Sequence, residues 1–163
     1  VISPDNKKLH ALLILHEGLR LETYLCPAGK LTIGVGHNLE ARPIPGLSRG
    51  SKITRERAME ILTDDLRDVV EEIPRRAPWV EELDEVRQAV LVDMAFNMGV
   101  WGLFRFKGFL RDLQEGGFTG DSREMFKSRW AYQVGDGPGK RRDRVDRLAE
   151  MIETGEWPKE ISV

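Results

Sequence analysis

Residues 84–98, DEVRQAVLVDMAFNM, are apolar on nearly every side after the first turn. A helix of that composition cannot lie on a surface, because other elements must cover all its faces. The chain must therefore build a helical body around it, and Gly99 stands where such a helix would be capped. Shorter helical patterns fit 107–115, 121–131 and 138–154. Thr54 is placed to cap a long helix over 54–73, with Pro74 as its stop. The apolar stripe of that helix (Ala58, Ile61, Leu62, Leu66, Val69, Val70, Ile73) is narrow and its other face charged, as expected of a link between two lobes. At the N-terminus, Ser3-Pro4-Asp5 reads as a helix start, Leu9, Leu12, Leu13 and His16 recur at helical spacing, and Gly18 is the stop.

Residues 18–53 differ in character. Glu22–Leu25 reads as a strand, Pro27-Ala28-Gly29 as a turn and Leu31–Gly36 as the partner strand, with loop over 38–52. The pattern predicts an α+β protein. Its 163 residues form a single domain. A small β lobe spans about 18–53, a linking helix 54–73, and a larger helical lobe 74–163 together with the N-terminal helix 3–17, with a cleft between the lobes.

One cysteine excludes an internal disulfide framework, and three histidines without metal-ligand spacing predict no metal and no cofactor. No stretch approaches the ~20 apolar residues of a membrane span. The opening VISPDNKKLHALLILHEG does not read as a signal peptide, so a soluble chain without its own export signal is expected. The net charge of −2 disfavours a generic nucleic-acid binder, and the KRRDR run reads as a solvated helix face. Charge is uneven: residues 55–93 carry 12 acids against six arginines, and 105–147 carry 11 basic groups against seven acids. Such asymmetry can orient an anionic polymer, and is equally compatible with an ordinary solvated surface.

The residues able to do chemistry cluster in 16–37, HEGLRLETYLCPAGKLTIGVGH. Glycoside hydrolysis needs a carboxyl as general acid, and inversion needs a second group to activate water on the opposite sugar face. Glu17 can be the acid. After Glu22 no acid follows before Glu40, which leaves Cys26 and Thr32 as the other polar groups. Taken singly, Glu17 would be a solvated helix end, Cys26 a small buried hydrophobe and Thr32 a strand residue.

Together they form a pattern close to EGxRxxxYxxxxGxxTIGxGH. It resembles the motif of phage-type lysozymes, the endolysins of glycoside hydrolase family 24, through Glu17, Gly18, Arg20, Tyr24, Gly29, Thr32-Ile33-Gly34, Gly36 and His37. LDEVRQAVLVDMAFNMG (83–99), KSRW (127–130) and TGEW (154–157) extend the likeness along almost the whole chain. The resemblance implies a lysozyme-like fold and catalysis by Glu17, Cys26 and Thr32, the Cys replacing the Asp of some relatives and open to three roles: thiolate base, nucleophile, or partner of Thr32 in holding the attacking water. Acid-tuning roles fall to Arg141, with Arg142 as its neighbour in register, and to His37. Substrate contacts fall to Asn38, Phe96, Phe109 and Glu124, although Phe96 reads equally as core and Phe109 reads more readily as core than as a contact. The four tryptophans read as packing residues, since a sugar-stacking role requires exposure.

The implied activity is a muramidase that hydrolyses the β-1,4 bond between N-acetylmuramic acid and N-acetylglucosamine of peptidoglycan. The implied enzyme is a monomer held in the host cytoplasm until a holin opens the membrane. A lytic transglycosylase and a non-catalytic wall-binding module are the rival readings.

Overall fold

A computed structural model of the chain describes residues 1–116 and 142–161. The expected helix over 121–131, the KSRW segment, Glu124 and Arg141 lie outside the described residues. Contacts group the described residues into two units, Pro4–Asp68 and Val1–Ser3 with Val69–Ile161.

The first unit begins with α1, Lys7–Glu17. Its cap is Asn6 rather than the expected Ser3: the Leu9 N–H donates to the Asn6 side chain at 2.9 Å, after a turn at Pro4-Asp5. Asn caps as well as Ser, and this one stands closer to the apolar repeat. Leu9, Leu12 and Leu13 are fully buried, each contributing about 1.5–3 kcal/mol by leaving water. Three antiparallel strands follow: β1 (Arg20–Leu25), β2 (Leu31–Gly34) and β3 (His37–Asn38), in the order β1-β2-β3. β1 starts two residues earlier than expected and β2 ends two earlier. The short β3, opposite Thr32 and Ile33, was expected only as loop. The register pairs Tyr24 with Thr32 and Leu25 with Leu31, so the turn between β1 and β2 is tight.

Helix α2, Arg55–Arg76, starts as expected, with the Arg57 N–H donating to the Thr54 hydroxyl at 3.1 Å. It does not stop at Pro74. The proline lies inside the last turn, and the Ala77 N–H still reaches the Ile73 carbonyl at 2.9 Å. Pro74 gives up the hydrogen bond to the Val70 carbonyl and crowds that group, but with only one turn of helix after it the disruption is not propagated. A Cβ on Gly34 would contact Ala58 at 3.8 Å, which places α2 directly on β2.

In the second unit, a short 3-10 helix (Pro78–Glu82) leads to α3, Glu85–Met98, which ends at Gly99 as expected and starts one residue later than its pattern, with Asp84 as its cap. Val86 and every residue from Gln88 to Ala95 are buried. The four-residue α4 (Val100–Leu103) and α5 (Lys107–Gln114) follow, then α6 (Arg144–Thr154). Asp143 and Asp146 form a capping box at the start of α6. Its pattern had suggested a start at 138, of which 138–141 lie outside the described residues. α6 packs on α3 through a buried ion pair, Arg144 Nε to Asp93 Oδ1 at 2.9 Å. The Arg87 Nε–H also donates to the Ile152 carbonyl at 2.9 Å.

Candidate active site

Glu17 is the last residue of α1, and Gly18 follows at φ +81°. The chain then turns into β1, and the β2–β3 turn comes back beside the acid: a Cβ on Gly36 would lie 3.7 Å from Glu17 Oε2. Gly36 itself has φ +67°, a conformation that favours glycine. The motif glycine thus admits the carboxyl group against bare backbone.

Cys26 sits at the first position of the turn between β1 and β2, with the Gly29 N–H donating to its carbonyl at 2.8 Å. Its side chain is partly exposed. The thiol pKa is lowered, first by the Lys30 backbone N–H, against an opposing effect of burial, and then by the Ala28 N–H and the Thr32 hydroxyl. Asp and Asn often use this turn position to accept from the N–H two residues on. Here sulfur takes that place, and main-chain dipoles favour its anionic form. Thr32 is buried, and its hydroxyl donates to the Lys30 carbonyl at 2.8 Å. With its one proton so placed, the Thr32 oxygen can accept from the Cys26 thiol. Once sulfur is a thiolate, the same hydroxyl can turn to donate to it.

Tyr24 lies between these groups electrostatically. Its pKa is raised, mainly by burial, with Arg20 opposing and the charges of Cys26 and Glu17 adding to the rise. The Arg20 guanidinium stacks 4.3 Å from the Tyr24 ring centroid.

His37 is buried, and its ring is committed to structure. Nδ1–H donates to Asp65 Oδ2 at 2.7 Å and Nε2–H to the Arg42 carbonyl at 2.8 Å. Both partners are acceptors, so the ring carries both protons, and its pKa is raised chiefly by the Asp65 hydrogen bond. Arg42 closes the cluster with contacts to Asp65 (3.3 Å) and Asp68 (3.4 Å). His37 therefore anchors the segment after Gly36 to α2. Asp65 carries no local sequence signal for this role, being 28 residues away.

Asn38 is half-buried. Its side-chain oxygen accepts from the Glu40 N–H (2.9 Å) and the Ala41 N–H (3.0 Å), which leaves only its amide NH2 to meet a ligand. Phe96 is half-buried on α3. Phe109 takes the core setting of its two readings, which removes the substrate contact: it is 2% exposed and offers no face to a sugar. Arg142 is paired within its own unit, with Glu150 and, at 2.8 Å, Glu160. Among the described residues, no group of three or more His, Cys, Asp or Glu side chains is placed to hold a metal ion.

The phage lysozyme family model matches residues 15–145, a span that opens just before Glu17 and closes in α6. The chain belongs to the phage lysozyme family. As a phage lysozyme it is a glycoside hydrolase of the muramidase type, which removes the reading as a non-catalytic module. The relatives similar to it in sequence include three that illustrate the range. The pre-baseplate central spike protein Gp5 of Enterobacteria phage T4 is 27% identical over 169 residues, covering 92% of this chain but only 28% of the spike protein. Probable T4-type lysozyme 1 of Dictyostelium discoideum is 28% identical, covering 85% of this chain and 89% of that protein. The endolysin of Acyrthosiphon pisum secondary endosymbiont phage 1 is 30% identical, covering 69% and 70%. The phage lysozyme fold accounts for the α+β arrangement described above. Among the described residues, no helix is long and apolar enough to cross a membrane.

Proposed function

We propose that this lysozyme hydrolyses the β-1,4 bond between N-acetylmuramic acid and N-acetylglucosamine in bacterial peptidoglycan, by a single displacement with inversion. Glu17 gives its proton to the glycosidic oxygen as the bond to the anomeric carbon breaks. A water molecule held by Cys26 and Thr32 attacks that carbon from the opposite face. The Cys26 thiolate takes a water proton, which leaves Glu17 ionised and Cys26 neutral until solvent restores both. The observation that carries this reading is the hydrogen-bonded setting of Cys26, where the main-chain N–H of Lys30 and the Thr32 hydroxyl favour a thiolate. An inert packing cysteine has no use for such donors.

The enzyme acts as a monomer in host lysis. It waits in the host cytoplasm until a holin opens the membrane and then reaches the peptidoglycan layer, needing neither metal nor nucleic acid. Product analysis tests the chemistry. Digested wall should carry new reducing muramic acid ends, released as the α anomer in early time points by NMR. Anhydro-muramic ends would mean a lytic transglycosylase, and β-anomeric ends would mean retention through a covalent intermediate.

A further inference from the structure

Trp101 is 69% exposed. The packing role expected of it is therefore wrong, and the exposure that a sugar-stacking role requires is present. We propose that Trp101, backed by Arg76, is a carbohydrate-stacking platform that binds a glycan strand of peptidoglycan as a site additional to Glu17, Cys26 and Thr32. This rests on the wall-hydrolase reading above.

The platform is built rather than incidental. Trp101 stands on α4, and its neighbour Gly102 is pressed against the end of α3: a Cβ there would meet Met98 Cγ at 2.9 Å. The glycine lets α4 seat closely, which sets the direction of the indole without burying it. One indole face is covered, with the Arg76 guanidinium carbon 3.9 Å from the ring centroid. Arg76 is itself held by Glu72, to which its Nε–H donates at 2.7 Å. The ring is thus propped on one side and open to solvent on the other.

An amino-sugar polymer complements that surface. The C–H face of a pyranose is flat and apolar and stacks on an indole. Its hydroxyl and acetamido groups, directed away from that face, keep their contacts with water while the ring is covered. Peptidoglycan also carries carboxylates. Arg75, 70% exposed and only 3.6 and 3.9 Å from Glu71 and Glu72, is held loosely enough to meet one.

The test uses the full chain with Glu17→Gln, so that the wall is not consumed, and measures co-sedimentation with purified sacculi. Adding Trp101→Ala should weaken binding about three- to tenfold, the scale of one aromatic stack. Trp101→Phe should restore most of it, and both variants should melt like their parent. Equal binding by the alanine variant and its parent overturns the platform while leaving the hydrolase reading intact. If the parent itself fails to bind sacculi, both readings fall. If Trp101→Ala leaves wall binding unchanged but alters self-association or binding to anionic vesicles, the surface serves a second copy or a lipid, and the proposal is overturned.

Discussion

The backbone of Gly36 and the carboxyl group of Glu17 are in near contact: a side chain at position 36 would begin 3.7 Å from Oε2 and 3.9 Å from Glu17 Cβ. Gly36→Ala should therefore do two things. The left-handed φ of +67° should cost about 1–2 kcal/mol of stability, read from a denaturation curve. The new methyl should also stand in ordinary van der Waals contact with the acid and displace water from that side, so that activity per folded molecule shifts modestly without a steric block. Gly29→Ala, at φ +78° with open space around it, is the control for strain without that contact.

Glu17→Gln should lower wall hydrolysis by about 10²–10⁴-fold, the usual worth of a general acid, with an unchanged melting curve. Turbidity loss of permeabilised cells measures the activity. Near-parental activity in a folded variant would remove Glu17 from the mechanism.

Cys26 should be alkylated by a small thiol reagent faster than an ordinary thiol at neutral pH, because its pKa is lowered by the Lys30 N–H and its neighbours. Alkylation should inactivate the enzyme, and wall fragments should slow it. As the thiolate is the working form, activity should rise with pH through the lowered thiol pKa. Cys26→Asp should keep substantial activity and extend the profile toward acid, since a free Asp ionises near pH ~4. Cys26→Ala with full activity per folded molecule would return the residue to a packing role.

His37 and Asp65 predict a pH-dependent stability. The folded-state pKa of His37 is raised, so the folded chain holds the proton more tightly than the unfolded chain does. The contribution is fully present below about pH 6.5, the unfolded value, and is lost as pH rises through the elevated folded value. His37→Ala should thus cost about 2–3 kcal/mol in mild acid, the scale of a charge-assisted hydrogen bond, and visibly less at alkaline pH. Parallel urea titrations at several pH values measure this, and a cost independent of pH would show that the charge plays no part.

Asp93 and Arg144 are 0% and 6% exposed at their side chains, and their ion pair ties α3 to α6. Asp93→Ala should cost about 3–5 kcal/mol by removing the carboxylate that faces a buried guanidinium. Replacing both residues with apolar side chains of similar volume should recover most of that loss. Chemical denaturation of the three variants decides it, since a shortfall in the double variant would mean that the pair contributes more than mutual neutralisation.

Elements whose signals are local could be read in advance. The apolar run and the Gly99 stop of α3 adjoin in sequence, and the Gly-rich hairpin carries its turn chemistry in its own residues. Two errors came from competing local signals: Asn6 won over Ser3 as a cap, and the last turn of α2 absorbed Pro74. Other features depend on partners far along the chain. Nothing near His37 announces Asp65, and an aspartate inside the apolar run of α3 gives no hint that Arg144 will neutralise it. Trp101 departs from its expected packing role, and Phe109 needed the structure to decide between core and substrate contact, for the same reason. An isolated aromatic does not reveal whether neighbouring elements will cover it, and the core takes the phenylalanine while α4 holds the tryptophan out.

The first donor that steadies the Cys26 sulfur is a peptide N–H, at Lys30, and another is at Ala28. No substitution other than proline can delete such a group. Any chain that closes this turn therefore rebuilds the same anion socket, whatever side chain is seated in it. Position 26 is in that sense a plug-in position. Its acidity can be retuned by a single codon, while its place within reach of the Thr32 hydroxyl is inherited from the hairpin.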